Sequence, residues 1–116
     1  DCLQFALPRT GQVVPWEFTD QGRRIELAVP GHLLCRDDIQ GPVTLARHGA
    51  GIVQTYRFLV EDDLRGGKLI ELLGNYRGAS RPFSLLYPAD RLMPLRVRVL
   101  IDYLVASLAL SPGRER

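Results

Sequence analysis

The sequence predicts an α/β domain whose sheet is at least partly parallel. The 116 residues suit one domain or one large subdomain, and 46% hydrophobic with 24% charged residues is typical of a globular fold. Short β-type runs alternate with segments of helical pattern, and this alternation favours a sheet that contains parallel strands. In such sheets small ligands bind beyond the carboxyl ends of the strands, so those ends are the places where we expect a site.

The first third of the chain is predicted to form a strand and then a β-hairpin. The apolar run at residues 2–7 is ended by Pro8, which indicates a mostly buried strand. Two further β-type runs, residues 15–18 and 23–29, flank a turn that contains Gly22. This arrangement predicts a hairpin.

The middle of the chain is predicted to alternate between strand and helix. A short strand at residues 32–35 leads to Asp37 and Asp38, whose carboxylates are candidate caps for a helix over residues 39–47 that ends at Gly49. The next three elements are predicted to be a strand at residues 51–56, a helix at residues 58–64 and a strand at residues 68–73.

The last part of the chain is predicted to contain a strand at residues 83–87, a helix from about residue 95 to residue 110, and a tail at residues 111–116. The helix carries two apolar stripes, Val97-Leu100-Ile101-Leu104-Leu108 and Val99-Tyr103-Ala106-Leu110. One stripe is enough to dock a helix on a sheet. The second stripe indicates either deep burial in the helix's own core or contact with another subdomain or subunit, and we expect the chain to self-associate.

Composition argues against several classes of protein. The net charge of +2 is too small for a nucleic-acid-binding face, and no apolar run approaches the roughly 18 residues of a membrane span. The two cysteines lie in apolar runs and show no metal-ligand spacing, so we predict neither a metal nor a cofactor. No secretory signal opens the chain, and its start on a strand pattern without Met suggests a piece of a longer protein.

The glycine-rich segments do not form phosphate-binding motifs. Gly49-Ala50-Gly51 follows a predicted helix and precedes a strand, which is the reverse of the order in dinucleotide-binding folds. Gly66-Gly67-Lys68 lacks both the upstream glycine of a phosphate loop and the Ser or Thr that follows its lysine. No nucleophile, base and orienting acid occur in a known pattern, which favours a binding module over an enzyme.

A series of short motifs runs in a specific order from residue 1 to residue 108. The motifs are Cys2-Leu3-Gln4-Phe5, Leu7-Pro8-Arg9-Thr10-Gly11, Pro15-Trp16-Glu17-Phe18, Arg36-Asp37-Asp38, Gly49-Ala50-Gly51-Ile52, Phe58 to Leu64, Gly67-Lys68-Leu69, Leu86-Tyr87-Pro88, Leu92-Met93-Pro94 and Val97 to Leu104. In this order they resemble the C-terminal part of the effector-binding domain of LysR-type transcriptional regulators.

The resemblance implies a periplasmic-binding-protein-like (type 2) fold, with a mixed sheet flanked by helices. Residues 1–80 would belong to the second effector-binding subdomain, and residues 81–110 would form a crossover strand and a helix that return to the first. A small-molecule inducer would bind in the cleft between the subdomains. DNA would be bound only through an N-terminal winged helix-turn-helix that lies outside this chain, in a cytoplasmic protein without membrane contact.

Six residues at strand ends and on the hairpin are the predicted ligand-binding residues: Arg9, Thr10, Trp16, Asp37, Thr55 and Tyr56. Arg9 would pair with a carboxylate if the inducer is an acid. The family commonly has a proline where this sequence has Gln54-Thr55-Tyr56-Arg57, and we expect this protein's own specificity there. Two other readings stay open, a solute-binding receptor of the same architecture coupled to transport, and an α/β enzyme of an unrecognised type.

Overall fold

The computed structural model describes residues 1–78, 80, 83–87 and 93–109. The chain divides into two compact units, Asp1–Ala79 and Ser80–Arg116. The first unit contains β1 (Cys2–Ala6), β2 (Trp16–Asp20), β3 (Arg23–Leu27), β4 (Leu33–Arg36), α1 (Gln40–Arg47), β5 (Ile52–Val53), α2 (Arg57–Arg65) and a 3₁₀ turn at Gly74–Tyr76. The second unit contains α3 (Leu95–Ala109).

Three strands form a parallel sheet in the order β4-β1-β5, as the alternation of strands and helices predicts. Leu3 pairs with Leu33 on one side and with Val53 on the other. The central strand therefore supplies the most buried side chains of the sheet, and Leu3 and Ala6 are only 1% and 0% exposed. The antiparallel strands lie in a second sheet, connected to the first by an isolated bridge between Ala6 and Val13.

Helix α1 packs closely on the parallel sheet. Val43 and Pro42 are fully buried, and Pro42 lies in the first turn, where a missing backbone N–H costs little. A Cβ added to Gly41 would lie 3.3 Å from the Cys35 sulfur, so this glycine lets the helix approach β4. The Gly41-Pro42 pair is thus compatible with a helix that follows a strand directly.

The predicted cap of α1 is only partly correct. The carboxylate of Asp38 accepts a hydrogen bond from the Gln40 amide at 2.8 Å. Asp37 does not cap the helix, because its backbone turns in the left-handed region with φ of 64° and Asp38 separates it from the free amides. At the other end, Gly49 has φ of 77° and its amide bonds to Ala46, as predicted.

The predicted hairpin is confirmed. Strands β2 and β3 pair from Trp16 opposite Leu27 to Asp20 opposite Arg23. The two turn residues, Gln21 and Gly22, both have positive φ, 47° and 79°. Consecutive positive values suit a two-residue hairpin turn, because they match the twist of the two strands.

Three strand predictions are wrong in part or entirely. The strand predicted at residues 51–56 is limited to β5, and no strand forms at 68–73 or 83–87. In the segment at 68–73, the amides of Lys68 and Leu69 donate to the Asp63 carbonyl, and Leu73 has φ of 55°, so the backbone turns. At 83–87 no strand within the described residues pairs with the segment, and β-type side chains form a strand only beside a partner.

The predicted last helix is confirmed as α3, while Leu110 and the tail at 111–116 lie outside the described residues. Its apolar side chains are largely exposed, with Tyr103 at 67% and Val105 at 58%. Within the described part of the chain, none of the helices combines the length and the apolar character needed to cross a membrane.

Candidate functional site

The three parallel strands end at one edge of the sheet, as their pairing requires. Ala6, the last residue of β1, lies opposite Arg36, the last residue of β4, and β5 ends at Val53. The segments that leave this edge are residues 7–12, 37–38 and 54–56, and together they are called the strand-end edge below. Five of the six predicted ligand-binding residues lie in these segments.

The segment after β1 is a compact turn that presents Arg9. The Leu7 amide donates to the Gln12 carbonyl at 2.9 Å, and the Gly11 amide donates to the Leu7 carbonyl at 2.8 Å. The Thr10 hydroxyl accepts a 3.2 Å bond from the Gln12 amide, so this side chain also closes the turn. Arg9 is exposed, and the hydrogen bonds of the turn fix the position of its Cα atom.

The last residue of β4, Arg36, is a second arginine at this edge, and the sequence analysis named it only within the motif Arg36-Asp37-Asp38. A Cβ added to Gly11 would lie 3.5 Å from the Arg36 Nη1 atom, so the Arg36 guanidinium lies against the turn that holds Arg9. Its position as the last residue before Asp37 was the available signal. Asp37 itself is exposed, and it stands in the tight turn closed by the bond from the Asp38 amide to the Arg36 carbonyl at 2.7 Å.

Thr55, in the segment after β5, has a buried hydroxyl oxygen without a hydrogen-bond partner in the described chain. A hydroxyl that is removed from water without a partner costs free energy, so most such groups in proteins are paired. Thr55 is the second residue after β5, and Tyr56 separates it from α2. The donor and the acceptor capacity of this hydroxyl are therefore both unused among the described residues.

Tyr56 leaves the sheet in extended conformation and begins the connection to α2. Its carbonyl accepts a 3.0 Å bond from the Leu59 amide, which starts the helix. Its ring stacks on that of Phe58, with centroids 5.7 Å apart and planes inclined by 19°. The Tyr56 ring is 42% exposed, so it offers an aromatic surface next to Thr55.

Trp16 lies on the hairpin and is connected to the strand-end edge through its neighbour. Its ring is half-buried and packs at an angle against Phe18, with centroids 6.4 Å apart. The Gln54 side chain bonds to both backbone groups of Glu17, as acceptor from its amide and donor to its carbonyl, each at 2.7 Å. The sequence analysis named Gln54 only as part of the segment 54–57 and did not predict this contact, because nothing in the sequence indicates a partner 37 residues away.

A further depression in the described part of the chain lies away from the strand-end edge. A small depression lined by Asp1, Cys2, Leu3, His32, Leu33 and Ala50 lies near the amino ends of β1 and β4, at the opposite edge of the sheet. Among the residues that the structure describes, no three His, Cys, Asp or Glu side chains form a group suited to a metal ion.

The model of the LysR substrate binding domain matches residues 2–109, nearly the whole chain. The chain belongs to the LysR substrate-binding-domain family. It therefore has the periplasmic-binding-protein-like type 2 fold, whose parallel strands are those of the sheet described above. The resemblance found in the order of the sequence motifs is confirmed.

Two relatives of the chain are named as transcriptional regulators. The HTH-type transcriptional regulator CrgA of Neisseria meningitidis serogroup B is 35% identical over 109 residues, which are 92% of this chain and 35% of that protein. The HTH-type transcriptional regulator PtxR of Pseudomonas aeruginosa is 33% identical over 99 residues, which are 85% of this chain and 31% of that protein. The chain thus spans about a third of the length of these relatives.

Proposed function

We propose that this chain is the ligand-sensing part of a LysR-type transcriptional regulator and that a small-molecule effector binds at its strand-end edge. Family membership and the names of the relatives support the regulatory role. The observation that carries the proposed site is the buried Thr55 hydroxyl without a partner among the described residues. A bound effector would supply that partner.

The positive charges at the strand-end edge favour an effector that bears a carboxylate. Arg9 and Arg36 leave the same edge of the sheet, and Arg36 lies against the turn that presents Arg9. Guanidinium groups bind carboxylates through two parallel hydrogen bonds, which fixes both position and orientation. Thr55 would bind a second polar group of the effector, and the exposed ring of Tyr56 would cover its apolar part.

The proposed mechanism is a shift between two conformations. An effector that binds the open and closed forms of the complete effector domain with different free energies changes their populations, and through them the spacing of attached DNA-binding domains. In this proposal DNA is bound by an N-terminal domain outside the chain, the complete regulator acts in the cytoplasm, and the chain binds its effector without catalysing a reaction. Residues 1–80 would form the second subdomain and residues 81–110 would return to the first.

The test uses the complete effector-binding domain and a thermal-shift screen with acetate, benzoate, succinate and related acids. A ligand that binds the folded domain raises its melting temperature by mass action. In the Thr55→Val variant we expect the ligand-free melting temperature to be equal or slightly higher, because an unpaired buried hydroxyl is removed. We also expect the ligand-induced shift to fall or vanish.

The matched control is Thr44→Val, which makes the same change on the exposed face of α1. It should keep the full ligand-induced shift. If Thr55→Val lowers the ligand-free melting temperature and keeps the ligand-induced shift, the hydroxyl has a structural role and the proposed site is wrong.

A further inference from the structure

Gln54 connects the hairpin to the parallel sheet at the edge where the effector is proposed to bind. The hairpin belongs to a separate sheet, so few bonds fix its position. Among these, the Val14 amide bonds to the Phe5 carbonyl at 2.8 Å, and the Gln4 side chain donates to the Val29 carbonyl. Those bonds hold the chain before β2 and after β3, whereas the bonds from Gln54 hold β2 itself.

The Gln54 side chain occupies the free edge of β2 as a neighbouring strand would. Its amide offers one acceptor and two donor hydrogens on one planar group, and it pairs with the N–H and the C=O of a single residue, Glu17. In a β-ladder a backbone amide and carbonyl make this pair of bonds. Both bonds measure 2.7 Å, so the side-chain amide of Gln54 fits the backbone N–H and C=O of Glu17 equally well.

Glu17 is restrained from other directions as well. A Cβ added to Gly78 would lie 2.8 Å from the Glu17 carbonyl oxygen, so the chain after the 3₁₀ turn passes directly beside this residue. The Glu17 carboxylate, only 15% exposed, accepts a 2.6 Å bond from Arg24 on β3. The bonds from Gln54 are thus part of a closely packed contact between β2 and the rest of the unit.

We infer that Gln54 is a positioning residue for the effector site, which fixes β2, and with it Trp16, relative to Thr55. The part that concerns the effector rests on the function proposed above. Thr55 is the next residue along the chain from Gln54, and Trp16 directly precedes Glu17. A displacement at the end of β5 therefore reaches the hairpin through one side chain, and Gln54 couples the two parts of the site.

The test needs no ligand, because Trp16 is the single tryptophan of the chain. Amide hydrogen exchange and acrylamide quenching of tryptophan fluorescence are measured for the 116-residue chain and for Gln54→Leu, which keeps the volume and removes both bonds. We expect exchange at the Glu17 amide to accelerate by about fivefold, the factor that corresponds to a hydrogen bond of ordinary strength. Quenching of Trp16 should increase, while the amides of β1 keep their protection.

A second variant, Gln54→Glu, shows whether protection of the Glu17 amide depends on the paired donor and acceptor of this side chain. A protonated carboxyl group has the donor and acceptor of an amide, whereas the ionised group is an acceptor alone and faces the Glu17 carbonyl. We expect wild-type protection of the Glu17 amide at acidic pH and loss of it at neutral pH. If the Glu17 amide keeps its protection and the quenching of Trp16 stays at the wild-type level in Gln54→Leu, the inference is wrong. It is also wrong if all strands lose protection equally. Neither result depends on whether an effector binds.

Discussion

Asp63 is a charged residue that the fold buries, and its environment explains how. One carboxylate oxygen of Asp63 accepts a hydrogen bond from Arg47 Nε at 2.7 Å, and the same oxygen forms an ion pair with Nη2 at 2.6 Å. Its side chain is 11% exposed and that of Arg47 is 32% exposed. The Asp63 carbonyl also accepts the amides of Lys68 and Leu69. One residue thereby joins the end of α1, the end of α2 and the turn that follows.

Loss of the Asp63 charge should destabilise the fold. We expect Asp63→Asn to lower the free energy of unfolding by about 1–3 kcal/mol, because the Arg47 charge loses its partner in a partly buried place. Urea unfolding followed by circular dichroism measures the change. The adjacent Asp62→Asn is the control, because that side chain is 98% exposed and its replacement should cost less than about 0.5 kcal/mol. Equal losses in both variants would contradict a specific role for the buried pair.

At this same scale, the sequence indicated part of the candidate site. Arg9, Asp37 and Thr55 were identified because polar residues at the carboxyl ends of parallel strands reach the same edge of the sheet. The contacts made by Gln54 and Arg36 were not predicted, although the sequence analysis named the segments that contain both residues. Their importance comes from neighbours that are distant in sequence, Glu17 and Gly11, and the pattern along the chain carries no information about such pairs.

At the scale of elements, a cluster of charges holds the segment after α2. Glu71 accepts bonds from Arg77 at 2.6 and 2.9 Å and from Arg57, the first residue of α2, at 3.3 Å. The hydrogen bond from Arg77 is the main cause that lowers the pKa of Glu71, and the charges of Arg77 and Arg57 act in the same direction. The cluster replaces the strand pairing that this segment lacks.

The lowered pKa of Glu71 makes this cluster sensitive to acid. Its contribution to stability is complete above the unfolded pKa of a glutamate, about 4.3, and is lost as the pH falls through the lower folded pKa. We expect the wild type to be more stable than Glu71→Gln at pH 7 and the difference to shrink below about pH 4. Urea unfolding at a series of pH values measures it. A difference that is constant with pH would show that the charge of Glu71 contributes nothing.

The elements themselves show where sequence patterns are sufficient. Helices α1, α2 and α3 and the hairpin were predicted because caps, turn glycines and periodicity are local signals. The strands predicted at 68–73 and 83–87 failed because a strand is defined by a partner. At 68–73 the local contacts of Asp63 and Glu71 determine the backbone instead. Apolar β-type residues alone indicate a preference for burial beside a neighbour.

At the scale of the whole molecule, α3 is a helix whose apolar side chains are largely exposed. Val99, Tyr103 and Ala106 lie on one stripe of the helix, and Val99 and Tyr103 are 57% and 67% exposed. Leu100, on the other stripe, is 55% exposed. Apolar area of this kind on a small chain usually marks a contact with another protein surface. It supports the expectation that the chain self-associates, which is a proposal about the molecule in solution.

Self-association should therefore depend on the exposed stripe of α3 and on protein concentration. We expect sedimentation velocity to show a weight-average mass above the 13.0 kDa of one chain, rising with concentration. Tyr103→Glu places a charge in the stripe, where its burial against another chain would be costly, and should shift the mass toward that of the monomer. Arg96→Glu also introduces a negative charge on α3 but leaves both apolar stripes intact, so it should associate like the wild type. A mass that stays at one chain across concentrations would exclude the proposal, and an equal effect of both variants would point to charge in place of the apolar stripe.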